Sequence, residues 1–228
     1  MSTLWISRMC LYLHTKEALF SAERIVRHKV HTQFLLIQRE APQPLSLRST
    51  QDILLYEGRC ARTYWLAYKK LLPTWTSFST RKARRGDVVN ILLDIGYHHL
   101  NTLVTKLLMQ HTLSPALALL HRAKTEKSKP LVYDLMELFR ADFVDREVLR
   151  YVRLKKKPLN VVDSHEIGRF LKRLNRRLLR KVYVREFSQC HTYHYYMELQ
   201  ILRFIYAVNH QKIFHPIILP RRHESRCS

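Results

Sequence analysis

Between Thr15 and Gln38 the apolar residues Ala22, Ile25, Val26, Val30, Phe34 and Ile37 recur at helical spacing, with Glu23, Arg24, Arg27 and His28 set mostly between them. That pattern predicts an amphipathic helix. Pro42 and Pro44 cannot continue it, so residues 40 to 48 form a linker. Ser49 and Asp52 then make a capping signature ahead of Ile53-Leu54-Leu55, which starts a second helix near Thr50. Its expected inner stripe is Leu54, Ala61, Tyr64 or Trp65, Tyr68 and Leu72, and Pro73 stops it. Asp87 caps a third helix to about Gln110, with Val89, Leu92, Leu93, Gly96, Leu100, Leu103 and Leu107 facing the core. A mid-helix glycine costs ~1 kcal/mol against alanine, so a close helix crossing is expected at Gly96.

Farther along, Ser114-Pro115 opens a short helix through His121. A polar loop, Arg122 to Lys129, leads to Pro130, where an apolar run carrying two acids continues through Val144, Val148 and Val152. Asp163 with Glu166 starts a helix in which Phe170, Leu171, Leu174, Leu178 and Leu179 alternate with basic residues, and a last helix covers about Phe187 to Asn209. The fold expected is all-α, a multi-helix bundle. Residues 1–14 read as an N-terminal remnant, 15–220 as one helical domain and 221–228 as a basic tail.

Composition narrows the class. Four glycines and eight prolines in 228 residues are too few for a turn-rich β fold, and 46% apolar residues suffice for a core. Forty Lys and Arg against 18 acids leave a net charge of +22, which points to a polyphosphate partner, nucleic acid ahead of an anionic membrane. No run of 18 apolar residues exists to span a bilayer, no signal peptide is apparent, and a cytoplasmic, membrane-free setting is expected. Cysteines 10, 60, 190 and 227 show no paired spacing and read as reduced thiols. The basic candidates for DNA contact are Arg59, Arg62, Arg81, Lys82, Arg84 and Arg85, then Arg173, Arg176, Arg177 and Arg180 on one helix. Trp75 and Phe78 lie beside the 81–85 run, where an aromatic could stack on a base.

Three acids interrupt apolar faces. Asp134 and Glu137 share a face of one helix, and Glu57 lies within the stripe of the second helix. Asp and Glu are rarely buried without a partner, so either an inward arginine or a metal answers Glu57. His121 ends an apolar run and adds a nitrogen donor. Glu57, His121 and Glu137 together would suit a divalent Mg or Mn ion at a phosphodiester, with Asp134 orienting a ligand. Adjacent His98 and His99 read as ordinary surface or core side chains. Cys190, His191 and His194 lack the second ligand pair that a zinc site needs.

Four segments in order, Leu54-Leu55-Tyr56-Glu57-Gly58-Arg59-Cys60-Ala61-Arg62-Thr63-Tyr64-Trp65, then Asp87-Val88-Val89-Asn90, then Pro115 to His121, then Leu131-Val132-Tyr133-Asp134-Leu135-Met136-Glu137-Leu138-Phe139-Arg140, resemble the helical catalytic domain of the CRISPR-associated spacer-acquisition integrase, the Cas-one family. The resemblance implies a helical catalytic domain, Glu57, His121 and Glu137 as ligands of Mg²⁺ or Mn²⁺, and Asp134 beside them. It further implies strand transfer into a CRISPR repeat, nuclease activity as its hydrolytic counterpart, and as partners double-stranded DNA and the small Cas-two protein. Members usually dimerise through an N-terminal β-domain. Only 56 residues precede Glu57 and they read as helix and linker, so that domain and a stable homodimer are not expected. The alternative reading is a non-catalytic, DNA-binding helical module whose acids make structural contacts only.

Overall fold

Polar caps start the helices where the sequence places them. Ser49 Oγ accepts the Asp52 N–H at 3.1 Å, Asp87 Oδ1 the Asn90 N–H at 3.0 Å, and Asp163 Oδ1 the Glu166 N–H at 2.7 Å, each satisfying a donor that the first helical turn leaves over. The structure is a computed structural model and describes residues 3–43, 47–84, 86–121, 125, 128–155, 157–159 and 161–220. Its helices are α1 (Thr3–Leu13), α2 (Lys16–Leu36), α3 (Thr50–Leu71), α4 (Val88–Gln110), α5 (Pro130–Met136), α6 (Arg146–Arg153), α7 (Ser164–Leu179) and α8 (Tyr193–Asn209). A π-helical segment, Arg140–Asp145, joins α5 to α6. The bundle is all-α as expected, apart from one hairpin.

Helix α4 runs through the middle and touches α5, the π segment, α6, α7 and α8, while α2 lies along α3 and the π segment. The expected close crossing is present: a Cβ on Gly96 would collide with Val144 Cγ1 of the π segment. On α3 the buried stripe is Ile53, Cys60, Tyr64, Ala67 and Tyr68, and Leu54 is exposed. The stripe is thus set one residue earlier at its start than expected, and Glu57 still falls on it, four after Ile53 and three before Cys60.

Three stretches differ from expectation. Residues 3–13, read as part of a remnant, form α1 and bury Trp5, Met9 and Tyr12, with the Trp5 indole donating to Ser114 O at 3.3 Å and the Tyr12 hydroxyl to Lys212 O at 2.7 Å. Residues 114–121 form turns, not a helix. The last helix begins at Tyr193, because residues 181–192 make an antiparallel hairpin, β1 (Lys181–Val184) with β2 (Gln189–Thr192), in the register Lys181↔Thr192 to Val184↔Gln189. Val182 and Val184 face the core with the two-residue period of a strand, and Ser188 turns the chain at φ 51°. Phe78, expected in a DNA-gripping loop, is buried against Trp65 and Tyr68. Cys10 and Cys60 are free thiols, whereas Cys190 is disulfide-bonded, unlike the reduced state expected. Among the described residues no helix is long and apolar enough to cross a membrane.

Candidate metal centre

Asp134, on α5, is completely buried and collects four donors. Its Oδ2 accepts the Leu119 and Leu120 N–H groups at 2.6 and 3.0 Å, and its Oδ1 accepts the His121 N–H at 3.1 Å and lies 2.6 Å from His121 Nδ1. This explains the missing helix over 114–121. The amides that would close helical turns are turned towards one carboxylate, which holds them as turns instead. It also fixes the His121 ring: with Nδ1 engaged, Nε2 is the ring nitrogen left for a ligand. The hydrogen bond to Asp134 raises the imidazole's affinity for protons, against the effect of its partial burial.

One turn later Glu137 closes α5, 2% exposed. Burial opposes its ionised form, yet Arg140 and Lys29 hold its carboxyl below the usual range. Arg140 Nη1 lies 2.9 Å from Glu137 Oε1 and its guanidinium sits over the Tyr97 ring, 5.0 Å from the centroid. Glu137 Oε2 lies 2.7 Å from Lys29 Nζ. The same Lys29 ammonium donates to Glu57 Oε1 across the α2–α3 contact. Burial works against the Lys29 charge, and Glu137 and Glu57 more than compensate, so its pKa rises.

The four predicted residues therefore stand as two linked pairs. Glu57 and Glu137 converge on one cation position, and His121 is held by Asp134, three residues from Glu137 and close enough for its charge to be felt by the imidazole. Among the described residues no ready cluster of three metal-ligating side chains exists, and the Lys29 ammonium contacts both glutamates. In chemical kind the donors suit a hard divalent ion. Two carboxylates already meet at a cation. The residues fit such an ion provided the lysine withdraws.

Lys29 and Arg140 were absent from the sequence candidates. Lys29 had a signal: Ala18, Ala22, Ile25 and Leu36 lie on the same buried face of α2, and Lys29, four after Ile25, is the cation on that face. It pairs with the acid that interrupts the α3 stripe. Behind the site, buried Asp145 ties three elements together. Tyr64 and Tyr97 donate to its carboxylate oxygens at 2.8 and 2.6 Å, and Tyr68 to its backbone oxygen at 2.8 Å. The Tyr64-Trp65 end of the glutamate motif is thus an anchor holding α3, and with it Glu57, against the π segment.

The basic candidates divide by surroundings. Arg59, Arg62, Lys82, Arg84 and Arg176 are exposed. Arg81 is bound to Asp94 at 2.5 Å and Asn90 at 2.9 Å, and Arg84 adopts φ 60° with its N–H on Asp94. The arginines of α7 do not form one outward stripe: Arg177 is 1% exposed, bound to Asp142 at 2.7 Å, and Arg173 binds Glu147 at 2.6 Å, while Arg180 lies 3.9 Å from Glu147 at the edge. Arg85 and residues 221–228 lie outside the described residues. A cavity of about 240 Å³ beside Tyr56 is lined by the further cations Arg24 and Arg27.

Comparison with known proteins follows the same lines. Residues 2–185 match the family described as CRISPR associated protein Cas1. The CRISPR-associated endonuclease Cas1 1 of Saccharolobus solfataricus is 27% identical over 169 residues, covering 66% of this chain and 47% of that protein, and the CRISPR-associated endonuclease Cas1 of Methanopyrus kandleri is 37% identical over 119 residues, covering 50% and 35%. The chain thus spans less than half the length of these curated relatives. Among solved structures, a casposase bound to integration product superposes with a TM-score of 0.80 at 20% identity, over 97% of this chain and 70% of that one, and a Cas1 protein from Thermotoga maritima with 0.80 at 16%, over 94% and 74%. At these identities the superpositions establish a common fold.

Proposed function

The chain belongs to the CRISPR-associated protein Cas1 family, and on that premise we propose that it carries a phosphodiester-transfer site built on Glu57, His121 and Glu137 as ligands of Mg²⁺ or Mn²⁺. The observation that carries the reading is the convergence of Glu57 and the buried Glu137 on a single cation position. A bound divalent ion supplies Lewis acidity at a phosphoryl oxygen and lowers the pKa of an attacking hydroxyl. The protein does the positioning. Glu57 and Glu137 present oxygens from α3 and from the end of α5, Asp134 locks the His121 tautomer with Nε2 left free, and Arg140 balances Glu137 while offering positive charge close to the reacting phosphate. The proposed substrate is double-stranded DNA, a captured fragment joined to a CRISPR repeat, with hydrolytic nicking as the reaction when water replaces the 3′-hydroxyl. A Cas2 subunit is the proposed partner, since Cas6-RT-Cas1–Cas2 complexes are among the structural neighbours. Cytoplasmic action on the array follows from the same proposal.

The experiment is strand transfer and nicking of branched DNA by the purified chain in Mn²⁺, with chelator controls. Glu57→Gln, Glu137→Gln and His121→Ala are each expected to reduce the reaction to background while duplex binding persists, and Asp134→Asn to cost ~10–100-fold through the loosened imidazole. Wild-type rates in any of the first three remove that residue from the site. One observation favours a second reading: Lys29 already neutralises both glutamates, as in a non-catalytic DNA-binding module. Mn²⁺ binding that depends on Glu57 separates the two, because the module is indifferent to metal.

A further inference from the structure

Lys29 stands where the proposed metal would bind, and its surroundings show what that position requires. The side chain is 9% exposed, its ammonium meets Glu57 and lies 2.7 Å from Glu137 Oε2, and it projects from the apolar face of α2 between Ile25 and Leu36. A divalent ion bound to the same two carboxylates would sit ~2.0–2.6 Å from their oxygens. Ammonium and metal cannot share that volume, and their like charges repel. Resting on the metal-site reading above, we propose that Lys29 is an exchangeable resident cation: it holds Glu57 and Glu137 converged and ionised until a divalent ion displaces it one for one.

The neighbouring cation makes the contrast plain. Arg140 is anchored by Glu137 Oε1 at 2.9 Å and by the Tyr97 ring, and its planar group is fixed in place. Lys29 has a flexible four-carbon stem and a rotatable ammonium. Without it, two carboxylates in a mostly buried setting would repel one another, and either would open the α2–α3 contact or take up a proton. The lysine thus keeps the site assembled and at the same time lowers its apparent metal affinity, since each binding event must expel it.

Two measurements on the full chain test this. Mn²⁺ titration followed by the electron paramagnetic resonance of the free ion compares wild type, Lys29→Met and Glu57→Gln. Lys29→Met is expected to bind at least tenfold more tightly with unchanged stoichiometry, and its thermal midpoint to be lower than wild type without metal and restored by Mn²⁺. Equal or weaker binding by a folded Lys29→Met overturns the exchange. The second measurement needs no lysine variant: acylation of wild type by an amine-reactive reagent, read by mass spectrometry, should rise severalfold at Lys29 on adding Mn²⁺, relative to exposed Lys82. Glu57-dependent Mn²⁺ binding with no such rise overturns the exchange and leaves the metal site standing. Mn²⁺ binding indifferent to Glu57→Gln overturns the metal site itself, and the exchange with it.

Discussion

Two groups of acids lie in and beside the π segment, and the way each is neutralised separates a structural bracket from a candidate site. In the bracket, Asp142 receives Arg177 at 2.7 Å and Arg146 at 2.8 Å, and Glu147 receives Arg173 at 2.6 Å and Arg150 at 2.9 Å. Each of those four carboxylate oxygens faces a planar, permanently charged donor. Across the segment, Glu57 and Glu137 share one ammonium, and an imidazole stands at the partly exposed edge. Both contain a deeply buried glutamate paired with cations. What differs is whether the coordinating oxygens are saturated by rigid guanidinium groups or held by a cation able to leave.

Removing the central cation of the bracket is the most drastic way to test that distinction. Arg177→Met leaves Asp142 and Glu147 buried with fewer partners, and the loss expected in urea unfolding is ~3–5 kcal/mol, the range for breaking one side of a buried ion pair. Mn²⁺ should not restore it. A metal-reversible loss would mean that the bracket too can bind an ion, and the comparison would collapse.

Protons distinguish the regions next. Burial raises the Asp145 carboxyl to about 6, against the hydrogen bonds from Tyr97 and Tyr64. Because its folded value lies above the ordinary 3.8, its contribution is most favourable below the unfolded value and is lost as pH rises through about 6. Relative to Asp145→Asn, wild type should lose ~2 kcal/mol of stability between pH 4 and pH 7.5. Glu147 has the opposite sign: burial is outweighed by Arg177 and Arg173, its pKa is lowered, and its contribution is present above the unfolded carboxylate range and lost on acidification. Denaturation of both proteins at the two pH values checks this, and a pH-independent difference would show that Asp145 titrates normally.

A smaller effect tests the segment between the clusters. Gly96→Ala places a methyl group against Val144, and overpacking of this kind costs ~1–3 kcal/mol. Because Val144 belongs to the segment that carries Arg140 and Asp145, the variant should also disturb the candidate site, visible as weaker Mn²⁺ binding. Stability and binding both at wild-type level would show that the crossing has room to give.

Much of this was legible because it depends on local chemistry. Ser49, Asp87 and Asp163 announce their helices by side-chain caps, Gly96 its crossing, and Asp134 and Glu137 their burial by interrupting apolar faces. What escaped depends on contacts distant in sequence. The turns at 114–121 exist because Asp134, thirteen to fifteen residues later, takes their amides. The hairpin rests on four-residue strands too short for period to declare. Arg177 and Arg173 read as surface charge because nothing local reveals Asp142 and Glu147 beneath them. Lys29 shows the intermediate case, a cation on an apolar face whose significance appears only once an acid on another helix is set opposite it.

The finest distinction is between arginines that hold the fold and those free to meet a phosphate backbone. A +22 chain that binds duplex DNA releases counterions, and the logarithm of its affinity should fall with that of salt at a slope of ~0.9 per phosphate contact. On the proposed DNA-binding reading those contacts fall to the exposed Arg59, Arg62, Lys82, Arg84, Arg176 and Arg180, and not to the buried Arg177. Replacing Arg62 by alanine should therefore lower the slope by about one unit with little change in stability, since exposed charges contribute ~0–1 kcal/mol to folding. Arg176→Ala should do the same if α7 lies against the DNA. Arg177→Met, compared at equal concentrations of folded protein, should leave the slope unchanged despite its much larger effect on unfolding. Binding isotherms across a series of salt concentrations settle the assignment: a slope that falls for Arg177→Met and holds for Arg62→Ala and Arg176→Ala would place the DNA over the bracket and reverse the roles given to the two clusters.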